Sequence, residues 1–264
     1  REAYGKIPII IGGLEASLRR FAHYDYWQDT VRRSILLDSS ADMISYGMGE
    51  RQTREICDRL AAGEPISSMT DIAGTCVLVS EKPLDCLECP SYERVSVPDA
   101  VGKRAYAEAT RMQYEQQDAL AGKTIVQRHG TRYVKQNPPA EPVGGAELDA
   151  VYALPYMRTY HPSYEAAGGV PAIQEVEHSI THNRGCFGGC NFCAIAFHQG
   201  RYVTSRSEKS VLDEAVKITQ GKNFKGYIHD VGGPTANFRR SACDKKSLCT
   251  NRKCLAPRIC PAVK

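Results

Sequence analysis

Long apolar runs are missing from this chain. The longest, "IPIIIGG" and "TCVLVS", are strand-sized. A membrane-spanning helix needs about 20 apolar residues, so no membrane partner is expected. No basic-then-apolar leader opens the sequence, and a secretory signal is not expected. A strong charge of either sign is missing too: 34 Lys and Arg stand against 30 Asp and Glu, a net +4. That balance gives no argument for nucleic acid or an anionic surface. A dinucleotide fingerprint is also lacking. "GGLEAS", Gly12 to Ser17, follows an apolar run but does not have the G-x-G-x-x-G spacing. Internal repeats and low-complexity tracts are not evident. An ordinary globular chain of 264 residues remains, enough for one large domain or two modest ones.

Cysteine is plentiful, with eleven in the chain. An odd count at uneven spacing fits a disulfide framework badly. A chain of this length also builds a core without staples. The cysteines therefore point to a reducing, cytoplasmic setting and to metal ligation.

The fold class read from the pattern is α/β. Residues 1–80 alternate strand-like runs near Ile7, Ala41 and Thr75 with helical patterns over 24–37 and 50–62. This order predicts a parallel βαβαβ unit of Rossmann-like type. Residues 81–174 read as a connecting region, with a polar helix and a hairpin turning at His129-Gly130. Within it, the C-x2-C of Cys86 and Cys89 reads as surface thiols. From residue 175 to 264 the α/β alternation returns. "LRRFAHYDYWQDTVRR" mixes arginines with Tyr24, Tyr26 and Trp27. It reads as a solvated helix face, with an RNA-binding module as a minor alternative.

The chemistry concentrates in "RGCFGGCNFCAIAFHQGR". Cys186, Cys190 and Cys193 form C-x3-C-x2-C in a loop that follows a strand and precedes a helix. A [4Fe–4S] cluster is held by cysteine thiolates, four in an all-protein site. Three thiolates leave one iron open to a substrate or cofactor, like the open position of a catalytic zinc. The alternative is a non-catalytic, structural zinc site completed by His182 or His198. A second group, Cys243, Cys249, Cys254 and Cys260, has spacings that match no zinc pattern. The choice there between zinc, a second cluster and free thiols stays open. His229 and Asp230 lie near the end of the next strand, His229 reading as a packed residue.

C-x3-C-x2-C after a first strand resembles the radical SAM superfamily. Together "IIIGGLEASLRRFAHYDYWQDTVRRSILLDSSADMISYGMGERQTREI", "ITHNRGCFGGCNFCAIAFHQGR" and "GYIHDVGGPTANF" resemble the YgiQ family of radical SAM proteins. The resemblance implies a [4Fe–4S] cluster on Cys186, Cys190 and Cys193, with S-adenosylmethionine chelated by the open iron. Reductive cleavage then yields a 5′-deoxyadenosyl radical that abstracts hydrogen from a substrate. It implies Phe192 beside the adenine, and Gly232 and Gly233 beside the methionine part. Pro234 stands where the superfamily usually has an acid. A flavodoxin or ferredoxin is implied as electron donor. The resemblance further implies that the chain is a fragment, ending inside a partial TIM barrel. Its first unit is likened to a cobalamin-binding fold, although cobalamin itself is not expected.

Overall fold

The structure is a computed structural model and describes residues 1–233, 236–239, 242–244, 249, 254, 255 and 258–263. Its first part runs β1 (Ile10–Ile11), α1 (Gly13–Leu18), β2 (His23–Asp25), β3 (Thr30–Arg32), α2 (Ile35–Asp38), β4 (Met43–Ser45), α3 (Glu50–Ala61) and β5 (Thr75–Val79). Next come β6 (Leu87–Cys89), α4 (Tyr92–Val95), α5 (Ala100–Glu115), β7 (Ile125–His129) and β8 (Arg132–Gln136). The last part has α6 (Gly145–Tyr152), α7 (Ile173–Val176), β9 (Ser179–Thr181), β10 (Asn183–Arg184), α8 (Ile195–His198), β11 (Thr204–Ser205), α9 (Glu208–Thr219) and β12 (Asp230–Gly232).

One six-stranded sheet, ordered β1-β4-β5-β8-β7-β6, organises the front of the chain. Residues 81–136 are thus more than a connection, because β6, β7 and β8 complete this sheet. The expected strands β1, β4 and β5 do lie side by side, and β1 runs parallel to β4. The third strand corrects the expectation, since β4 and β5 are antiparallel. The cause lies after α3. Instead of entering β5 directly, the chain lays Ile66, Met69 and Ile72 against Ile56 and Met43. This segment carries the chain back to the sheet end it had left. Thr75 pairs with Ser45 there, and the Tyr46 N–H donates to the Gly74 carbonyl at 2.8 Å. The sheet is therefore mixed. Parallel crossovers remain at its two edges, from β1 to β4 by way of α1 and from β6 to β7 by way of α5.

Both faces of the sheet are covered. Successive strand residues point to opposite faces. Met43 accordingly packs with Ile56 of α3, whereas Ile44 packs with Ala16 of α1 and Leu36 of α2. α3 is a helix for a simple reason. Gln52, Ile56 and Leu60 recur at four-residue spacing, Glu50 opens the first turn and Arg59 closes the last.

The expected helix over 24–37 is instead a hairpin of β2 and β3 followed by the short α2. Asp25 decides this. Its Oδ1 accepts the N–H groups of Trp27 at 3.0 Å and Gln28 at 3.2 Å, fixing a turn that competes with the helix. Trp27 then projects outward, 92% exposed. Arg19, Arg32 and Arg33 pair with Glu15, Asp25 and Asp38, so these three cations have local acidic partners.

Cys86 and Cys89 are likewise corrected in part. Cys89 closes β6, is buried against α5, and has its thiol pushed up to about 12 by burial. Cys86 is half-buried just before that strand. Its thiol donates to the Pro83 carbonyl at 3.1 Å.

α5 begins at Asp99, whose carboxylate caps the N–H groups of Val101 and Gly102. Gly102 fits only because it has no side chain. A Cβ there would stand 1.9 Å from the Val97 carbonyl oxygen. Gly102→Ala should lower stability by about 1–3 kcal/mol, the usual cost of overpacking. Urea unfolding measures this, and an unchanged midpoint would refute the close approach.

Candidate functional site

The site is assembled where β9 and β12 end. The two strands are parallel, with Thr181 opposite Gly232, and the His182 N–H donates to the Gly232 carbonyl at 2.9 Å. The parallel pairing expected from the helix between them is present, that helix being α9. Beyond β9 the chain forms β10, which pairs antiparallel with β11. The three-cysteine loop lies between these paired strands. Its neck is closed by the Cys186 N–H on the Gly200 carbonyl at 3.0 Å and the Gly185 N–H on Gln199 Oε1 at 2.9 Å.

Within the loop Cys186 is buried, Cys190 exposed and Cys193 half-buried. Cys186 Sγ accepts the Gly188 N–H at 3.4 Å. Phe187 anchors the loop in a small core with Val203 and Ala242, its ring 3.9 Å from that of Phe238. Phe192 is 93% exposed, free to stack on a planar partner. The convergence of the three sulfurs expected from the sequence is not formed: among the described residues no three Cys, His, Asp or Glu side chains group closely enough to hold a metal ion.

The donor set still has the chemistry of an iron–sulfur site. Three thiols share one loop, two are accessible, and no carboxylate is interleaved among them. Gly188 also leaves the inner side of the loop open, since a Cβ there would stand 3.2 Å from Cys186 Sγ. Gly233 approaches its surroundings still more closely. A Cβ would stand 2.4 Å from Asn183 Oδ1 and 2.5 Å from the Ala236 carbonyl oxygen. Pro234 lies outside the described residues.

The histidines considered as a fourth zinc ligand sit differently. His198 Nδ1 is 2.8 Å from Ser17 Oγ of α1, and burial holds its pKa below the ordinary value. His182 is buried, with Nδ1 making no hydrogen bond. His229 precedes β12, at the end remote from the cysteine loop. It packs against Tyr227 and His178 at ring centroid distances of 5.0 and 5.9 Å. Cys254 and Cys260 share a turn, the Cys260 N–H donating to the Cys254 carbonyl at 2.8 Å. Cys243 and Cys249 are half-buried, and none of the four forms a disulfide.

Several supporting residues carried no motif. Arg184 of β10 pairs with Glu50 of α3 and donates to the Tyr152 hydroxyl at 3.3 Å, tying the cysteine strand to the front sheet. Arg206 and Arg158 both pair with the buried Glu214 of α9. Arg206 also donates to the Thr181 carbonyl at 2.9 Å, which fixes the end of β9. These are single charged residues scattered over more than 150 positions of sequence, and no local pattern joins them.

Among the described residues no helix is long and apolar enough to cross a membrane. A family model described as Radical SAM N-terminal matches residues 1–179. A UPF0313 protein of Clostridium botulinum (strain Okra / Type B1) is 55% identical over 267 residues, covering 98% of this chain and 41% of its own length. A UPF0313 protein of Clostridium perfringens is 52% identical over 266 residues, with 98% and 40% covered. The chain thus spans about two fifths of the curated relatives it matches. No solved structure matches it.

Proposed function

Because the chain belongs to the UPF0313 family and carries its radical SAM N-terminal domain, we propose that it serves a radical SAM iron–sulfur enzyme, of the YgiQ type that its motifs resemble. In this reading Cys186, Cys190 and Cys193 hold a [4Fe–4S] cluster, and Phe192, Gly232 and Gly233 line the place of S-adenosylmethionine. The bound pair supplies one-electron cleavage of the sulfonium carbon–sulfur bond and hydrogen abstraction from a substrate. The residues of this chain do the positioning. The Gly232 carbonyl already accepts the His182 N–H, so the backbone at Gly233 is the part left to meet an ammonium group, and the exposed Phe192 ring offers a stacking face.

One observation carries the reading. The cysteine loop leaves the C-terminal edge of the parallel β9–β12 pair, next to Gly233. Ligands of parallel α/β sheets bind at that edge. A cytoplasmic setting, a barrel completed by further strands, and a flavodoxin or ferredoxin as electron donor belong to the same proposal.

Anaerobic reconstitution with iron and sulfide tests it. The expected result is a brown protein whose electron paramagnetic resonance signal changes when S-adenosylmethionine is added. A protein that takes up zinc but no iron–sulfide would favour the structural-metal reading instead.

A further inference from the structure

We propose that Cys243, Cys249, Cys254 and Cys260 form a second metal site, which takes one structural zinc ion and braces the cysteine loop. All four are half-buried and none forms a disulfide.

The fold brings three of the four to one place. Phe187, Val203 and Ala242 make a small core, with Phe238, Cys254 and Val263 packed against it. Cys254 thus touches this core directly, and Cys243 follows Ala242 in the chain. Cys260 is tied to Cys254 by its N–H on the Cys254 carbonyl at 2.8 Å. Its own carbonyl accepts the Val263 N–H at 3.0 Å. Cys249 lies between Cys243 and Cys254 in sequence. Two of the three intervals, Cys243 to Cys249 and Cys254 to Cys260, are wider than those of paired zinc motifs. The turn from Cys254 to Cys260 supplies the closeness that spacing does not.

Four thiols without a histidine make a soft, all-sulfur set, which selects zinc or an iron–sulfur cluster. Four protein ligands also close the coordination sphere, as in structural zinc sites. Each sulfur must lie about 2.3 Å from a single ion. A turn closed by one backbone hydrogen bond suits that short reach better than it suits a bulky multi-iron core.

Charge points the same way. A zinc ion with four thiolates is a dianion. In sequence, Lys245, Lys246, Arg252, Lys253 and Arg258 stand between Cys243 and Cys260 against Asp244 alone, a net +4. Of the 34 basic and 30 acidic residues, 29 of each remain elsewhere, so this segment holds the whole net charge of the chain. Neighbouring cations favour the thiolates that a metal needs.

Among the described residues the four sulfurs are not grouped, and neither are those of Cys186, Cys190 and Cys193. A metal ion draws such ligands together on binding, since the finished site rarely precedes the ion. The place gives the ion a consequence. Phe187 belongs to the cysteine loop, and its ring lies 3.9 Å from that of Phe238. Zinc on the turn would hold the core to which that loop is anchored. Neither a cluster on the loop nor S-adenosylmethionine is required for it.

The test uses the 264-residue chain prepared without iron and sulfide. Cys190→Ala and Cys193→Ala are introduced together, so that the loop keeps one thiol. This chain should bind one zinc ion. Bound zinc should slow alkylation of Cys243, Cys249, Cys254 and Cys260 at least tenfold, read by mass spectrometry, while the exposed Cys57 reacts as before. Adding Cys254→Ser and Cys260→Ser should abolish binding and protection. No bound zinc, protection that spares these four cysteines, or undiminished zinc in the folded quadruple variant would each overturn the site. So would a brown chromophore when the Cys190→Ala, Cys193→Ala chain is given iron and sulfide, because the four thiols would then hold a cluster. Cys249→Ser gives a second reading that leaves the small core intact. It should keep the circular dichroism of its parent and bind zinc at least tenfold more weakly, and equal affinity would remove the fourth ligand and with it the closed site.

Discussion

Cys190→Ala, reconstituted anaerobically with iron and sulfide, is expected to stay colourless while the parent turns brown. Three thiolates are the minimum that leaves a four-iron cluster with one open iron, so removing one leaves too few. Cys190 makes the cleanest of the three variants because it is exposed. Its carbonyl accepts the Cys193 N–H at 3.1 Å, a backbone contact that alanine keeps, and an exposed substitution of that kind usually changes stability by less than about 0.5 kcal/mol. Loss of colour would then report ligation rather than unfolding. Cys186→Ala is less clean, since Cys186 is buried.

The same experiment reads out the geometry. The three sulfurs are not grouped in this structure, so iron must draw them together. Metal binding commonly organises a site that the free chain leaves open. Gly188 and Gly189 give the loop the backbone freedom to do so. Full absorbance in Cys190→Ala, together with full iron and sulfide content, would remove Cys190 from the ligand set.

Gly233→Val is the second large effect. Its Cβ would meet Asn183 Oδ1 at 2.4 Å and the Ala236 carbonyl oxygen at 2.5 Å. The buried Asn183 amide and a backbone carbonyl both have to move, and the end of β12 shifts with them. The cysteine loop is anchored independently by β10–β11 pairing and by the Phe187 core. Cluster assembly should therefore survive. S-adenosylmethionine affinity should fall at least tenfold, about 1.4 kcal/mol. Equilibrium binding to the reconstituted variant measures this. Unchanged affinity would remove Gly233 from the cofactor site, and loss of the cluster as well would show that the two anchors are not independent.

The expectations that failed did so for identifiable reasons. Tyr24, Trp27, Val31 and Ile35 fall near helical spacing, but Asp25 takes the following N–H groups and makes a turn. β5 was recognisable as a strand, yet its direction depends on how Met69 and Ile72 pack after α3. Direction is a property of the returning chain and leaves no mark within "TCVLV". Cys89 looked like a surface thiol because charge and proline surround it. Its burial comes from the pairing of β6 with β7, residues far along the chain.

By itself the sequence determined the α/β class, the hairpin at His129-Gly130, the helix α3 and the spacing of Cys186, Cys190 and Cys193. These follow from local chemistry: apolar periodicity, turn residues, and thiols close enough in the chain to share one loop. Tertiary structure alone decided the mixed order of the sheet and the Arg184–Glu50 tie between that front part and the cysteine strand. It also decided the burial of Arg20 between the rings of Tyr46 and Phe197. Each of these depends on contacts between distant residues, where burial sets the energy of a charge and no spacing along the chain records it.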